Sequence, residues 1–291
     1  ILPLIIDKVR LSDIFFLKER TKTILINAFT EGFLENHFWL TLPVVKQCNI
    51  NCASCNMYSP ICPPEFYSLN QIQSDLEMIK ALDVKLSKIN ITGGEPFLHP
   101  QLLDILQMIR EMFPDLRIEV YTNGIIMEKK CEKAMLESIK RSNAEYHITE
   151  YGKSIDSLKH LYNKMDDYGI CYIVNYIDDE KLFFKKKIDL TNKVPVHEYI
   201  NCQYYTFCFG LFLYNGILYK CPLALNCGHI NNYFNMKIEL KDNDYLELKG
   251  LEHKTEIYKY WRSRIPLCGY CPRIKDVIKW GISERRVEEW T

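Results

Sequence analysis

The sequence predicts an α/β fold built on a parallel β-sheet. From Trp39 onward, short apolar runs alternate with segments of roughly ten to fifteen residues in which apolar side chains recur at helical spacing. Strands and helices that alternate in this way form parallel sheets with right-handed crossovers. Two chemically distinctive motifs directly follow the first two strands, at the edge where such folds place their sites. The 291 residues, 47% hydrophobic and 25% charged, provide a sizeable core for about two domains.

The strands and helices are expected in strict alternation up to residue 177. The strands are predicted at 38–45, 88–92, 117–122, 146–149 and 170–177. The first helix begins at Ser68, which forms a capping box with Gln71 and so satisfies free backbone N–H groups. The second helix begins near Pro100 and is stopped by Pro114. Two further helices are predicted at 128–140 and 154–167.

The first motif is a C-x3-C-x2-C loop formed by Cys48, Cys52 and Cys55. Thiolates bind iron–sulfur clusters or zinc. Three local thiolates leave one iron of a four-iron cluster open, whereas a closed structural site requires a fourth ligand nearby. Cys62 is the only candidate for that fourth ligand in the loop.

The second motif, Gly93-Gly94-Glu95-Pro96, follows the second strand. Glycines lack a side chain and let the backbone approach a ligand closely. The carboxylate of Glu95 can accept a charge-assisted hydrogen bond from an ammonium group. This motif therefore indicates a site for a small molecule beside the cysteine loop.

Together the two motifs resemble those of the radical S-adenosylmethionine (SAM) superfamily. The resemblance implies that Cys48, Cys52 and Cys55 hold a [4Fe-4S] cluster and that SAM chelates its open iron through the amino and carboxylate groups. It also implies that the SAM amino group is bound by Gly93, Gly94, Glu95 and Pro96. The family usually has an aromatic residue before the third cysteine, where this chain has Ser54.

The same resemblance implies a partial (β/α)6 TIM-like barrel whose sixth strand lies within 182–200. Asn123 and Glu150 follow the third and fourth strands, where family members contact the SAM ribose and carboxylate. Without that role, Asn123 is a turn residue before Gly124 and Glu150 is a solvated loop acid.

The composition changes after residue 201, where cysteines surround a predicted β-hairpin with an Asn215-Gly216 turn. The region resembles the short, twitch/SPASM-like extension of radical SAM enzymes, which implies one auxiliary [4Fe-4S] cluster. The implied ligands are Cys221, Cys268 and Cys271, with Cys202 or Cys208 as the fourth. The same residues also suit a zinc knuckle. The tail 272–291, with Trp280 and Trp290, is expected to be a covering helix.

Three segments follow from these assignments: an N-terminal extension (1–37), the radical SAM core (38–200) and the auxiliary-cluster domain (201–291). The formal net charge is zero, which provides no long-range field for nucleic acid. No apolar stretch reaches the ~20 residues of a membrane span. Twelve cysteines without a secretion signal indicate metal binding rather than disulfides. We therefore expect a cytoplasmic protein that receives electrons from a donor such as flavodoxin or ferredoxin.

The resemblance implies an enzyme that reductively cleaves SAM to a 5′-deoxyadenosyl radical and abstracts hydrogen from a substrate carbon. By analogy with one branch of the superfamily, we expect it to oxidise or epimerise a sugar or nucleotide sugar. Peptide modification is the alternative, disfavoured because no further cysteine follows Cys271. A non-catalytic zinc or iron–sulfur binding module is a third hypothesis. It is disfavoured because a structural metal site has no use for the Gly-Gly-Glu-Pro motif.

Cys227 is left over after the ligands are assigned. If it lies near the barrel mouth, its weak S–H bond suits it to return hydrogen to a substrate radical in an epimerisation. The alternative is a buried structural cysteine, which is the more common role of a free thiol.

Overall fold

The structure, a computed structural model, describes residues 38–151, 158–177, 182–184, 188–190, 210–271 and 277–291. The parallel part of the main sheet consists of β1 (Trp39–Val45), β2 (Lys88–Gly93), β3 (Arg117–Thr122), β4 (Glu145–Tyr151) and β5 (Tyr172–Ile177). The intervening helices are α1 (Leu69–Ala81), α2 (Leu102–Met112), α3 (Ile125–Lys129), α4 (Lys133–Ser142) and α5 (Lys159–Asp167). The predicted α/β fold is confirmed, and the sheet is open, as in a partial barrel.

The C-terminal part of the chain extends the same sheet. Its elements are β7 (Gly210–Tyr214), β8 (Ile217–Tyr219), α6 (Pro222–Phe234), β9 (Tyr245–Glu247) and α7 (Lys254–Arg262). The strand order is β5-β4-β3-β2-β1-β7-β8-β9, with β7 parallel to β1 and the last two strands antiparallel. The β7–β8 turn is formed by Asn215 and Gly216, both with positive φ, as the Asn-Gly pair predicts.

Three elements differ from the sequence expectation. A sixth strand of the barrel is expected within 182–200. The described strand there, β6 (Leu182–Phe184), pairs antiparallel with β10 (Val277–Lys279) instead of joining the main sheet. Residues 185–187 and 191–200 lie outside the described residues. The prediction of a helical tail is wrong where the tail is described. It forms β10 and a 3-10 turn (Val287–Glu289), because its backbone groups bond to other segments instead of to one another.

The predicted helix 128–140 is divided into α3 and α4. The N–H groups of Lys130 and Cys131 bond to carbonyls three residues back, at Met127 and Glu128. These tighter turns end α3 before α4 begins. At the start of α1, Ser68 Oγ accepts from the Gln71 N–H, but the Gln71 side chain donates to Asp75 instead of completing the capping box.

The central strands separate an apolar face from a polar one. The apolar face is buried and, by the crossover rule, is the face that the helices cover. Its side chains include Leu40, Leu42, Ile89, Ile91, Ile118, Val120, Tyr146 and Ile148. On the opposite face, the register aligns Asn90 with Glu119 and Tyr121 with His147. Tyr121 is 37% exposed, so this face is open to solvent.

A buried carboxylate attaches the C-terminal hairpin to the core. Asp75 in α1 is fully buried and accepts hydrogen bonds from three donors. These are Tyr67 Oη, Gln71 Nε2 at 2.7 Å and the Gly216 N–H in the hairpin turn at 2.6 Å. Burial and the adjacent Asp75 carboxylate raise the pKa of Tyr67. Asp75 therefore joins α1, the loop before it and the β7–β8 turn.

We expect Asp75→Asn to lower the free energy of unfolding by about 2–3 kcal/mol, because an amide NH2 replaces an acceptor that faces buried donors. Urea denaturation of the apo protein measures this change. Glu77→Gln, at an exposed carboxylate on the same helix, is the matched control and should change stability by less than about 0.5 kcal/mol. Equal effects of the two substitutions would contradict the role given to Asp75.

Candidate functional site

The three cysteines of the first motif lie in the loop that follows β1. Asn51 and Ser54 adopt left-handed backbone conformations (φ 57° and 54°), which curl this loop tightly. Cys48, Cys52 and Cys55 are close enough for their thiols to perturb one another electrostatically. Burial raises the pKa of Cys48, and it raises the pKa of Cys52 to about 12. These thiols therefore carry protons that a bound metal displaces.

The glycines of the second motif pack directly against the cysteine loop. The Gly94 N–H donates to Val45 O at 2.8 Å, and the Glu95 N–H donates to Gln47 O at 3.0 Å. A Cβ atom added at Gly94 would lie 1.9 Å from Gln47 O, and one at Gly93 would lie 2.1 Å from Val45 O. Both glycines are therefore required for contact between two backbone segments, whether or not a ligand is bound.

Glu95 is fully buried, and both of its carboxylate oxygens accept hydrogen bonds. Oε1 accepts from Thr122 Oγ1 at 2.6 Å and from the Phe97 N–H at 3.1 Å, and Oε2 accepts from the Asn123 N–H at 2.8 Å. Burial raises the pKa of Glu95, while the three donors act in the opposite direction. The side chain thereby fixes the end of β2 to the end of β3. Pro96, also buried, begins the 3-10 turn Pro96–Leu98.

Asn123 connects the end of β3 to the cysteine loop. Its Oδ1 accepts from the Ile125 N–H at 3.0 Å, which is the turn role expected of an asparagine before Gly124. Its Nδ2 donates to Asn49 Oδ1 at 2.8 Å and lies 3.8 Å from Cys48 Sγ. The turn and the contact with the cysteine loop are therefore made by the same side chain.

Glu150, at the end of β4, is buried rather than solvated. Its Oε1 accepts from Tyr162 Oη at 2.5 Å, on α5. Its Oε2 is buried and has no hydrogen-bond partner among the described residues. An unpaired buried acceptor carries a free-energy cost of about 1–3 kcal/mol, which a hydroxyl donor from a ligand would remove.

The residues described by the structure include three of the predicted auxiliary ligands. Cys221 is the N-cap of α6, and Cys268 and Cys271 flank the end of the 3-10 turn Pro266–Tyr270. All three are half-buried. Cys202 and Cys208 lie outside the described residues, so their competition for the fourth position stays a prediction.

Cys227 lies inside α6 and is 1% exposed. Its Sγ is 3.5 Å from Ile238 O, and Asn231 Nδ2 is 3.8 Å from the same sulfur. Burial raises its pKa to about 11. The structure therefore places this thiol in the core of the C-terminal part rather than at an open mouth of the sheet, which is the environment of a structural cysteine.

Several contacts at the site were missed from the sequence. Trp280 Nε1 donates to Cys52 Sγ at 3.1 Å, and Trp290 Nε1 donates to Cys55 O at 3.1 Å. Lys46, buried two residues before Cys48, donates to Asn226 Oδ1 at 2.9 Å. Two tryptophans in a short tail indicate that the tail packs against the rest of the protein. The spacing of residues in the sequence does not show which groups the two indoles contact.

Two further groups of potential metal ligands each have a lysine or arginine beside at least one member. Glu128, Cys131 and His160 have ligand atoms within 4.8 Å of one another, but Lys164 Nζ lies 3.6 Å from Cys131 Sγ. The second such group consists of Glu119, Glu145 and His147. It is neutralised by Lys88 and Arg117, at 2.6 Å and 3.0 Å from Glu119. In the first group, Glu128 Oε2 is buried and has no hydrogen-bond partner among the described residues, whereas the carboxylates of the second group are paired with cations.

The donors of the cysteine loop fit a four-iron cluster better than a zinc ion. The sulfurs bound to one tetrahedral zinc lie about 4 Å apart. Among the described cysteines, no three sulfur atoms lie within 4.8 Å of one another. Cys62 is close enough to Cys55 to interact with it electrostatically, and its Sγ lies 3.8 Å from Asn226 Oδ1. The motif offers three thiols. This set leaves one iron of a cluster available to a small-molecule ligand.

A family model described as the radical SAM superfamily matches residues 42–183. A GTP 3′,8-cyclase of Sulfurovum sp. is 31% identical over 122 residues, which are 42% of this chain and 35% of that protein. A probable GTP 3′,8-cyclase of Archaeoglobus fulgidus is 36% identical over 94 residues, 32% of this chain and 30% of that protein. The chain thus matches about a third of the length of these curated relatives. Among solved structures, BtrN in complex with AdoMet and 2-DOIA aligns with a TM-score of 0.48 at 16% identity, over 77% of this chain and 82% of that one.

None of the helices in the described segments is both long and apolar enough to cross a membrane.

We expect Gly94→Ala to destabilise the fold by about 3 kcal/mol and to reduce the iron bound on anaerobic reconstitution, because the new methyl group displaces the Gln47–Cys48 backbone. Gly228→Ala is the matched control, since a Cβ at Gly228 in α6 has no heavy atom within 4 Å. That substitution should be neutral or stabilising by up to about 1 kcal/mol. Normal iron loading by Gly94→Ala would show that the loop adjusts to the clash.

Proposed function

We propose that this chain, whose residues 42–183 match the radical SAM superfamily model, is an enzyme of that superfamily. In this proposal, Cys48, Cys52 and Cys55 hold its [4Fe-4S] cluster, and the enzyme oxidises a hydroxyl-bearing small molecule. The observation that carries the cluster assignment is the backbone contact between the Gly-Gly-Glu-Pro motif and the cysteine loop. The backbone hydrogen bonds from Gly94 and Glu95 to the residues before Cys48 hold the thiols beside the end of β2.

The bound cluster supplies the electron that cleaves SAM to methionine and a 5′-deoxyadenosyl radical, which removes hydrogen from a substrate carbon. The chain's own residues orient and enclose the reactants. Glu95 fixes the end of β2 against β3, so that the Gly-Gly-Glu-Pro turn is held for the SAM amino group. Glu150 Oε2 provides an unpaired acceptor for a hydroxyl group at the same edge of the sheet.

The polar face of the sheet supports a neutral, hydroxyl-rich substrate such as a sugar. Asn90 Oδ1 is buried there and has no hydrogen-bond partner within the described ranges. Lys88 and Arg117, the first residues of β2 and β3, are paired with Glu119 at the end of the strands opposite the cysteine loop. Hydroxyl groups can satisfy such acceptors without bringing an unpaired charge into the site.

Oxidation is favoured over epimerisation by the position of Cys227. An epimerase must return a hydrogen atom to the substrate radical from a side chain that reaches it. The Cys227 thiol is buried in α6 and bonded to Ile238 O, so it would have to leave the core to act as that donor. In an oxidation, the substrate radical would instead lose one electron and its hydroxyl proton, and an auxiliary cluster held by Cys221, Cys268 and Cys271 would be suited to accept the electron.

We assign the auxiliary cluster to Cys221, Cys268 and Cys271, with Cys202 or Cys208 as the fourth ligand. The two described parts of this set are connected, because Lys220 Nζ lies 3.4 Å from Ser263 Oγ, just before the 3-10 turn that carries Cys268. An external one-electron donor such as flavodoxin or ferredoxin would reduce the cluster at Cys48, Cys52 and Cys55.

A second candidate is a cyclisation of a nucleoside triphosphate. It is favoured by the 31% identity to a GTP 3′,8-cyclase over a segment that is 42% of this chain. We rank it second because the matched segment is only 35% of that cyclase's length. Conversion of GTP under the conditions of the following experiment would reverse this preference.

The first experiment measures SAM cleavage by the anaerobically reconstituted protein with dithionite. We expect 5′-deoxyadenosine and methionine in equal amounts, and a loss to background in Cys52→Ala, because two thiolates do not hold the cluster with one open iron. Cys171→Ala, at an exposed cysteine of the same chain, is the control and should cleave SAM normally. Cleavage by a triple alanine variant of Cys48, Cys52 and Cys55 would contradict the proposal.

The second experiment measures the iron and zinc content per chain. We expect ~8 irons per chain in the reconstituted wild type and ~4 in Cys268→Ala, because each [4Fe-4S] cluster contributes four. Cys268→Ala should still cleave SAM in a single turnover. Four irons in both proteins, or stoichiometric zinc in the protein as purified, would remove the auxiliary iron–sulfur cluster.

A further inference from the structure

Residues 281–283 of the tail pair with residues 51–53 of the cysteine loop. Ser283 N–H donates to Asn51 O, and Ala53 N–H donates to Gly281 O, both at 2.8 Å. Cys52 and Ile282 form the antiparallel bridge between these two bonds. A loop that would otherwise leave its backbone polar groups to solvent thus acquires a short strand partner.

Two side-chain contacts extend this pairing to the third cysteine. Ser54 Oγ donates to Glu289 O at 2.5 Å, and Trp290 Nε1 donates to Cys55 O. Trp290 is 1% exposed and packs between Tyr58 and Phe234 at ring-centroid distances of 5.9 Å and 5.8 Å. The tail is therefore anchored in the core on one side of the loop, and the loop is not free to reshape alone.

Trp280 makes a different kind of contact from the rest of the tail. Its indole N–H points at a ligand sulfur, Cys52 Sγ, at 3.1 Å, whereas the Trp290 indole N–H bonds a backbone carbonyl. Its ring packs on Tyr151, at the carboxyl end of β4, with centroids 5.7 Å apart. This packing fixes the indole plane, so the direction of the N–H group is set by the fold.

We propose that Trp280 is a positioning residue that sets the reduction potential of the cluster at Cys48, Cys52 and Cys55 by donating its N–H to the Cys52 thiolate. This inference rests on the proposed function, because it requires a cluster at these cysteines. A cluster becomes more negative when it is reduced, and a donor to its thiolate binds the more negative state more strongly. The Trp280 hydrogen bond therefore raises the potential and makes the cluster easier to reduce.

The experiment compares wild type, Trp280→Phe and Trp290→Phe as reconstituted full-length proteins. Phenylalanine keeps an aromatic ring against Tyr151 and removes the N–H donor. The potential is measured by redox titration with EPR detection, and the site cluster is distinguished from the auxiliary cluster because added SAM perturbs its signal. We expect the ratio of reduced to oxidised site cluster at a fixed potential to fall about fivefold in Trp280→Phe.

Trp290→Phe is the matched control, since it removes an N–H bond to the same loop that does not reach a sulfur. We expect it to lower thermal stability and to keep the wild-type potential. An unchanged potential in Trp280→Phe, or an equal shift in Trp290→Phe, would overturn the inference. In either case, normal SAM cleavage by the wild type would leave the proposed function intact, whereas a wild type without a cluster would remove the proposed function itself.

A measurement on the wild type does not depend on whether Trp280→Phe folds. In protein labelled with 15N in its indoles, electron–nuclear double resonance of the reduced site cluster should show one coupled indole nitrogen and a coupled proton that exchanges in deuterium oxide. No coupled indole nitrogen would overturn the proposal.

Discussion

The site depends on one backbone contact, between the Gly93–Glu95 turn and the chain that leaves β1. Two N–H···O hydrogen bonds join these segments, and the Cβ positions of both glycines are occupied by backbone atoms of the other segment. A side chain at either glycine would force the two segments apart, because its Cβ would lie 2.1 Å or less from a carbonyl oxygen. The cysteine loop and the Gly93–Glu95 turn are thus not two neighbouring features but two sides of one packed surface. We regard this surface as the reason that a short glycine motif accompanies the three cysteines.

Buried polar groups extend that contact into a network. Glu95 is surrounded by three donors from its own turn and the end of β3, and Asn123 continues from β3 to Asn49 in the cysteine loop. A buried carboxylate is tolerated because its oxygens are satisfied, and the satisfied network then fixes a single arrangement of the strand ends. Energetically, this rigidity is what a site needs when it must hold reactive groups without rearrangement during the reaction.

The C-terminal part contributes structure to the site as well as cysteines. Its hairpin adds β7 to the edge of β1, its turn is held by Asp75, and α6 meets the end of β1 through Lys46 and Asn226. The tail then returns to cover the cysteine loop. By covering the cysteine loop, the tail can restrict solvent access to the thiols and donate hydrogen bonds to Cys52 and Cys55 with the same residues.

The sequence by itself determined the local chemistry. Hydrophobic periodicity gave the order of strands and helices, because each depends on neighbours close in the chain. Cysteine and glycine spacing identified the two motifs, and Asn215-Gly216 identified the hairpin turn. Only the tertiary structure decided which distant groups meet. It showed that Glu95 is satisfied by β3, that Cys227 lies in the core, that 182–184 pairs with the tail, and that Trp280 reaches Cys52 across 228 residues. These pairings depend on packing between segments that are far apart in the chain. A local sequence pattern reflects only neighbouring residues, so it does not predict them.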